Sequence, residues 1–442
     1  MTNEGKPEVA AAGEPAPTKE PPETGALLRR FAAEAAHMLD WLAQFGSGAN
    51  ADEGVTRLLY TPAWQQAQGA LAERLAGCGL AVSYDDVGNL YARLDGARER
   101  EVVATGSHID TVVRGGRYDG AYGIVAGALA LAYLKEAYGQ PERTLQLVSF
   151  AEEEGSRFPL AFWGSGSVTG RYQARHAPDA ADADGVSLAA AMHEAGFGQG
   201  RYAAPPAAAD WSAFVELHIE QGSVLEREGA AIGIVQGIVG QRRFGFEVSG
   251  EANHAGTTPM SYRRDALCGA AEMIVAIRDA ALAYGDPTVA TVGRLEASPG
   301  TVNVVPGRAS FTLDVRHPDG AALEAFCGEL MTTLERIAAS NGLTVSASLW
   351  TEAAPVRMNG RLTEALDRIC RTRGLVCRHM YSGAGHDSQL LAPVCPTAMV
   401  FVPSRGGISH SPAEYTKAED LAAGIVVLAD LLYALAYKGE TP

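Results

Sequence analysis

The chain has 442 residues, 47% of them hydrophobic and 20% charged, the composition of a folded globular protein rather than a disordered or membrane one. At about 150 residues per domain that length gives two or three folding units. With 36 Lys and Arg against 52 Asp and Glu, the net charge is −16, which repels phosphates and speaks against a nucleic-acid or anionic-membrane partner.

Residues 1–24 carry prolines at 7, 15, 17, 21 and 22 with scattered acids and no apolar stretch. They read as a disordered tail and not as a secretory signal. Apolar residues then recur at helical spacing over 27–45, and again over 61–77 after a Thr-Pro start. Strands are predicted at 87–94, 101–106, 144–150, 213–218 and 397–402, with a helix at 123–138. The stretch 171–210 is rich in Ala, Asp and Pro and reads as a surface excursion with one helix. The last helix, 421–435, is broken by Asp430, so no apolar run reaches the roughly 18 to 20 residues of a membrane span. Strands alternating with helices predict an α/β fold with a mixed, mostly parallel sheet.

Between 236 and 352 the rhythm changes to strand 242–250, helix 262–284, strands 287–295 and 309–316, helix 321–340 and strand 343–349. The order β-α-β-β-α-β is the ferredoxin-like unit. The expected organisation is a discontinuous larger domain, 25–235 plus 353–442, interrupted by a smaller one at 236–352. The six cysteines form no C-x-x-C pair. They read as buried residues of a reducing, cytoplasmic compartment.

Four polar clusters end predicted strands, where open α/β sheets place their ligands. His108 is followed by Asp110 and, eleven residues on, by Asp119 in a Gly-flanked turn. Glu152, Glu153 and Glu154 follow the strand 144–150, His218 lies in 216–222, and His410 in 408–415. A single His at a strand end is more often structural than a ligand, and an acidic turn is often merely solvated. Together the clusters are harder to dismiss, because adjacent carboxylates after an apolar strand repel one another and call for a cation or water. Imidazole plus carboxylate suits Zn²⁺, Mn²⁺ or Co²⁺ rather than a thiolate-loving metal. Five candidates, one a carboxylate able to bridge, point to two metals and an activated water. Asp110 sits where it can hold the second nitrogen of the His108 imidazole. No nucleophile elbow or phosphate loop is present, and the glycines at 164–170 miss the dinucleotide fingerprint by one position.

The set His108, Asp119, Glu153, Glu154, His218 and His410 resembles the dinuclear M20-type metallopeptidase and amidohydrolase family. The strings GSHIDTV, GGRYDG, AEEEGSRF, ELHIEQG, GEANHAGTTPM, RRDAL, TVNVVPG, SGAGHD and ISHSPAEY are similar to its ureido-hydrolysing branch. That branch holds N-carbamoyl-L-amino-acid hydrolases, β-ureidopropionases and allantoate amidohydrolases, and the likeness runs from about 39 to 437. It implies a zinc-exopeptidase-like catalytic domain with an inserted lid that also forms a homodimer. It implies two divalent ions, Mn²⁺ or Zn²⁺, held by His108, Glu154, His218 and His410 with Asp119 bridging, and Glu153 as general base. His254 resembles the residue that polarises the scissile carbonyl, in relatives often from the partner subunit. Asn303 and Arg316 resemble groups that grip a substrate carboxylate, and Gln221 another substrate contact. The segments 56–64, 162–165 and 240–244 look more like the allantoate-hydrolysing members. Arg243 there adds a second guanidinium suited to a polar ureido acid, while Gly166 departs from the bulkier residue expected. The expectation is therefore hydrolysis of allantoate, with a carbamoyl amino acid or β-ureidopropionate as the alternative substrate, and a dipeptidase or non-catalytic relative behind those. His386 and Asp387 are expected either to support the site or only to order a loop.

Overall fold

The computed structural model describes residues 23–50, 53–173 and 177–442. The tail expected over 1–24 lies outside the described residues up to position 22, and Thr24 already opens the first helix.

In chain order the first elements are α1 (Thr24–Ala43), α2 (Pro62–Gly77), β1 (Ala81–Tyr84), β2 (Leu90–Leu94), β3 (Arg98–His108), α3 (Ala121–Tyr138) and β4 (Arg143–Phe150). After the short helices α4 (Trp163–Val168) and α5 (Leu188–Glu194) come β5 (Trp211–Ile219), α6 (Val224–Glu228) and β6 (Ile232–Ile238). Helix α1 forms because Leu27, Phe31, Ala35, Met38 and Leu42 recur every three to four residues and bury one stripe. Helix α2 starts where the Thr61 side chain accepts from the Trp64 amide and Pro62 presets the first turn.

The next stretch builds a separate layer: β7 (Gly240–Ser249), β8 (Asn253–His254), α7 (Ala266–Tyr284), β9 (Val289–Thr291), β10 (Leu295–Ser298), β11 (Val304–Val305), β12 (Arg308–His317), α8 (Gly320–Ser340) and β13 (Thr344–Ala353). The chain then returns through β14 (Val356–Arg357), α9 (Gly360–Arg373), β15 (Cys377–Ser382), α10 (Ser388–Leu391), β16 (Thr397–Val402) and α11 (Ala418–Ala436).

The large sheet has the order β1-β2-β4-β3-β5-β16-β6-β14, with β15 also paired to β6. Its middle strands β4, β3, β5 and β16 all run parallel, whereas β2 and β14 are antiparallel to their neighbours and β6 is antiparallel to β16 and β14 but parallel to β15. The mixed sheet is thus the one expected. Four parallel neighbours bring four carboxyl ends to one edge, and α1, α3 and α11 cover one face with Phe31, Tyr122, Leu131, Ile425 and Leu432.

The smaller sheet is antiparallel, β10-β12-β7-β13, with β9 also on β12. The single strand expected at 287–295 is two short pieces, Val289–Thr291 and Leu295–Ser298, interrupted around Gly293 and both paired to β12. Taken as one interrupted edge strand, they complete the strand-helix-strand-strand-helix-strand order read from the sequence. Its core is its own: Phe246 stacks on Phe311 at 4.8 Å and 12°, over Val248, Ile277 and Leu330. Only Val239 separates β6 from β7. On the return, β14 pairs with the end of β6, Val356 opposite Ile238 and Arg357 opposite Gly237.

Candidate metal centre

The four parallel carboxyl ends deliver the polar clusters to one place. His108 is the last residue of β3, Glu152 to Glu154 follow β4 directly, and His218 is the penultimate residue of β5. Asp119 sits in the turn before α3, and His410 in the loop after β16 with a positive φ of 54°. Gly120 is also left-handed at 61°. Its Cα lies against the His108 ring, and a Cβ there would overlap ring atoms.

Two donor groups result, His108–Asp119–His218 and Asp119–Glu154–His410, and they share one carboxylate. His218 Nε2 lies 3.3 Å and His108 Nε2 3.7 Å from Asp119 Oδ1. His410 Nε2 is 3.4 Å from Asp119 Oδ2 and 3.5 Å from Glu154 Oε1. These separations lie at or beyond the long end of hydrogen bonding. They match the about 3.4 Å expected between two ligands each about 2.1 Å from one tetrahedral ion. Since Asp119 turns one oxygen to each group, the residues fit a pair of divalent ions with Asp119 between them.

The backing residues are equally specific. His108 Nδ1 lies 3.3 Å from the Asp110 carboxylate and 3.1 Å from the Asp110 carbonyl, which places Asp110 against the ring nitrogen that faces away from Asp119. The same carboxylate accepts from the Glu153 and Glu154 amides at 3.1 Å. Asp119 Oδ2 accepts from Gln221 Nε2 at 2.7 Å and from Ser409 Oγ at 2.8 Å. Glu414, which sequence reasoning left without a role, accepts from the Tyr118 and Asp119 amides at 2.8 and 3.1 Å and from Ser409 at 3.0 Å. It pins the Asp119 turn. Its only signal in the sequence is its place four residues after His410.

Electrostatics sort the carboxylates. Burial raises Glu153 well above the ordinary range, and burial together with Asp119 raises Glu154 to about 7. Against its own burial, hydrogen bonding to His218 and His410 holds Asp119 well below. The hydrogen bond to Asp119 lifts His410 to about 9. Several acids and three imidazoles thus share one corner, buried except at His410 on its open side, the situation a divalent cation relieves.

The corner opens into a cleft of about 470 Å³ between the two sheets. His108, Asp119, Glu153, Glu154, His218 and His410 line its floor. Gln221, Arg243 and Arg316 line its walls, so three of the four expected substrate contacts are brought together. Asn303 and His254 are not. Both are exposed: His254 lies on the two-stranded ribbon β8–β11, opposite Val304, and Asn303 immediately precedes β11. His254 Nδ1 accepts from the Gly256 and Thr257 amides at 3.0 and 3.2 Å, which fixes the ring.

His386 lines the cleft, its ring centroid 4.5 Å from that of His218 and its Nε2 2.9 Å from Ser382 Oγ. Asp387 is fully buried, and neither of its oxygens has a hydrogen-bond partner. Phe162, also on the wall, is held at a positive φ of 63°, a strained conformation for an aromatic residue.

The sequence matches Peptidase family M20/M25/M40 over residues 104–434. It is 47% identical over 400 residues to an allantoate amidohydrolase of Bacillus subtilis, covering 90% of this chain and 96% of that one. It is 46% identical over 413 residues to an allantoate amidohydrolase of Escherichia coli, covering 93% and 100%. A crystal structure of a hydantoinase/carbamoylase-family amidase from Burkholderia multivorans superposes with a TM-score of 0.87 at 34% identity, covering 92% of this chain and 98% of that one.

Proposed function

Because the chain belongs to peptidase family M20/M25/M40, we propose that it is a metal-dependent amidohydrolase that cleaves a ureido C–N bond of allantoate. The observation that carries the chemistry is Asp119, shared between two donor groups with Glu153 beside them. The choice of allantoate rests on the two relatives at 46–47% identity and on Arg243 in the cleft wall. His108, His218, Asp119, Glu154 and His410 would hold the two ions, Mn²⁺ or Zn²⁺. Bound there, the ions supply Lewis acidity toward water and the ureido carbonyl.

The residues supply the rest. Glu153 takes the proton of the attacking water and returns it to the departing ammonia. The N-carboxylated amine left behind loses CO₂, giving ureidoglycine. Arg243 and Arg316 accept the substrate carboxylate in a guanidinium fork, and Gln221 faces the ureido arm. His254, exposed at the end of the lid, acts as a hydrogen-bond donor to the developing oxyanion of a partner subunit's site, with Asn303 beside it. That assignment makes the working unit a homodimer joined through the inserted domain. Among the described residues no helix is long and apolar enough to cross a membrane, and all six cysteines are unpaired. We therefore assign the reaction to the cytoplasm.

The test is ammonia release from allantoate, N-carbamoyl-L-amino acids, β-ureidopropionate and a dipeptide, before and after chelation and restoration with Mn²⁺ or Zn²⁺. Preference for allantoate, abolished by chelator and restored by metal, is the expected result. Turnover of carbamoyl amino acids alone would keep the metal chemistry and remove the substrate assignment.

A further inference from the structure

The solvent-facing side of the small sheet carries a polar network that faces the cleft. On β7 and β12 the register sets Asp314 opposite Arg243 and Arg316 opposite Gln241. The alternate positions Phe244, Leu313 and Val315 point into the lid core, so these four residues share the outer face. One carboxylate serves all of the other three. Asp314 Oδ2 accepts from Arg243 Nε at 2.9 Å, Arg316 Nη2 at 3.0 Å and Gln241 Nε2 at 2.8 Å, and Oδ1 accepts from Arg316 Nε at 3.1 Å. Gln241, Arg243 and Arg316 all line the cleft, whereas Asp314 lies behind them. Although half-burial opposes ionisation, the two guanidinium groups hold the Asp314 carboxyl below its usual range. Arg316 reaches further, donating through Nη1 to the carbonyl of Gly383, on the loop that precedes His386.

We propose that Asp314 is the positioning residue of the substrate-binding wall: it fixes the fork of Arg243 and Arg316 and, through the Arg316–Gly383 contact, registers the inserted layer on the cleft-lining loop at 383–386. This rests on the ureido-acid reading only for the choice of substrate. Long arginine side chains lose much rotamer freedom when they bind, and a carboxylate that holds both in advance lowers that cost. Pure charge counting gives the opposite expectation. Asp314 cancels one of two positive charges, so a masking role alone would make its removal strengthen binding of an anionic substrate.

Two readouts on the full-length, metal-loaded protein decide between these. For Asp314→Asn, KM for allantoate rises about 10- to 100-fold, the worth of hydrogen bonds to charged groups, while kcat and metal content stay within a few-fold. Independently of substrate, hydrogen–deuterium exchange across 382–387 speeds up severalfold in Asp314→Asn. If that variant does not fold, Arg316→Lys, which keeps the charge and loses the fork, gives the same rise in exchange. An unchanged or lowered KM, or unchanged exchange at 382–387, overturns the proposal. If the wild type hydrolyses no ureido acid, the functional reading fails and the exchange measurement alone decides the role of Asp314.

Discussion

Gly120 shows how tightly the centre is built at the scale of single residues. Its positive φ and its contact with the His108 ring leave no room for a side chain. Gly120→Ala is expected to displace the imidazole, weakening metal binding about 10- to 100-fold with a matching loss of turnover. Metal titration monitored by activity and by equilibrium dialysis checks both. The proposed ion-holding set was legible because His108, Glu154 and His218 sit at or just after predicted strands and because a family resemblance gave Asp119 and His410 their places beside them. Asp110 was legible from its place two residues after His108. Glu414 was not, since its partners are the backbone amides of Tyr118 and Asp119, almost 300 positions away in the chain. Only folding puts it under the Asp119 turn. Asp387 was singled out with His386 in the SGAGHD string, but the complete burial of its carboxylate is a property of packing that no string shows.

Among the elements, legibility followed apolar content. Helices α1, α7 and α8 carry an apolar stripe and α11 is apolar nearly all round, and all four were placed within a few residues of their observed ends. Strand β6, Ile232–Ile238, contains two glycines and was passed over. Helix α9, Gly360–Arg373, was missed because its apolar stripe, Leu362, Ala365, Leu366 and Cys370, is narrow beside Arg361, Arg368, Arg371 and Arg373. The split of the edge strand around Gly293 lay beyond reach, because it depends on which stretch of β12 each half meets. The lid layer stands on the Phe246–Phe311 stack. Phe311→Ala is expected to cost about 3–5 kcal/mol of lid stability, read as a lowered urea midpoint of the lid. Metal affinity should hold, because none of the ion-holding residues belongs to that core.

For the whole molecule the decisive feature is the distance between His254 and its proposed work. His254, on a lid ribbon, and Asn303, just before its second strand, are exposed and do not line this chain's own cleft. If each site borrows its oxyanion donor from the other subunit, inactive Glu153→Gln and inactive His254→Ala chains should complement when mixed. One of the two sites in each heterodimer is then intact, so random reassociation recovers about one quarter of wild-type activity. Recovery near zero would place His254 in its own subunit's site. The homodimer is expected from a family likeness alone; that His254 does not line this chain's own cleft is what makes the complementation test decisive for it.

The two points where the chain enters and leaves the inserted layer have a mechanical consequence. Val239 leads in, and the strand that leads back out is hydrogen-bonded to the strand just left, Val356 beside Ile238. Two straps anchored side by side act as a hinge with a single axis. The expected motion of the inserted layer is a swing about that axis rather than a twist or a slide, which would make and break the Arg316–Gly383 contact along one arc. Lengthening one strap alone, at Val239 or at Ala354, would skew the axis and misalign the guanidinium fork without touching any residue that meets the substrate.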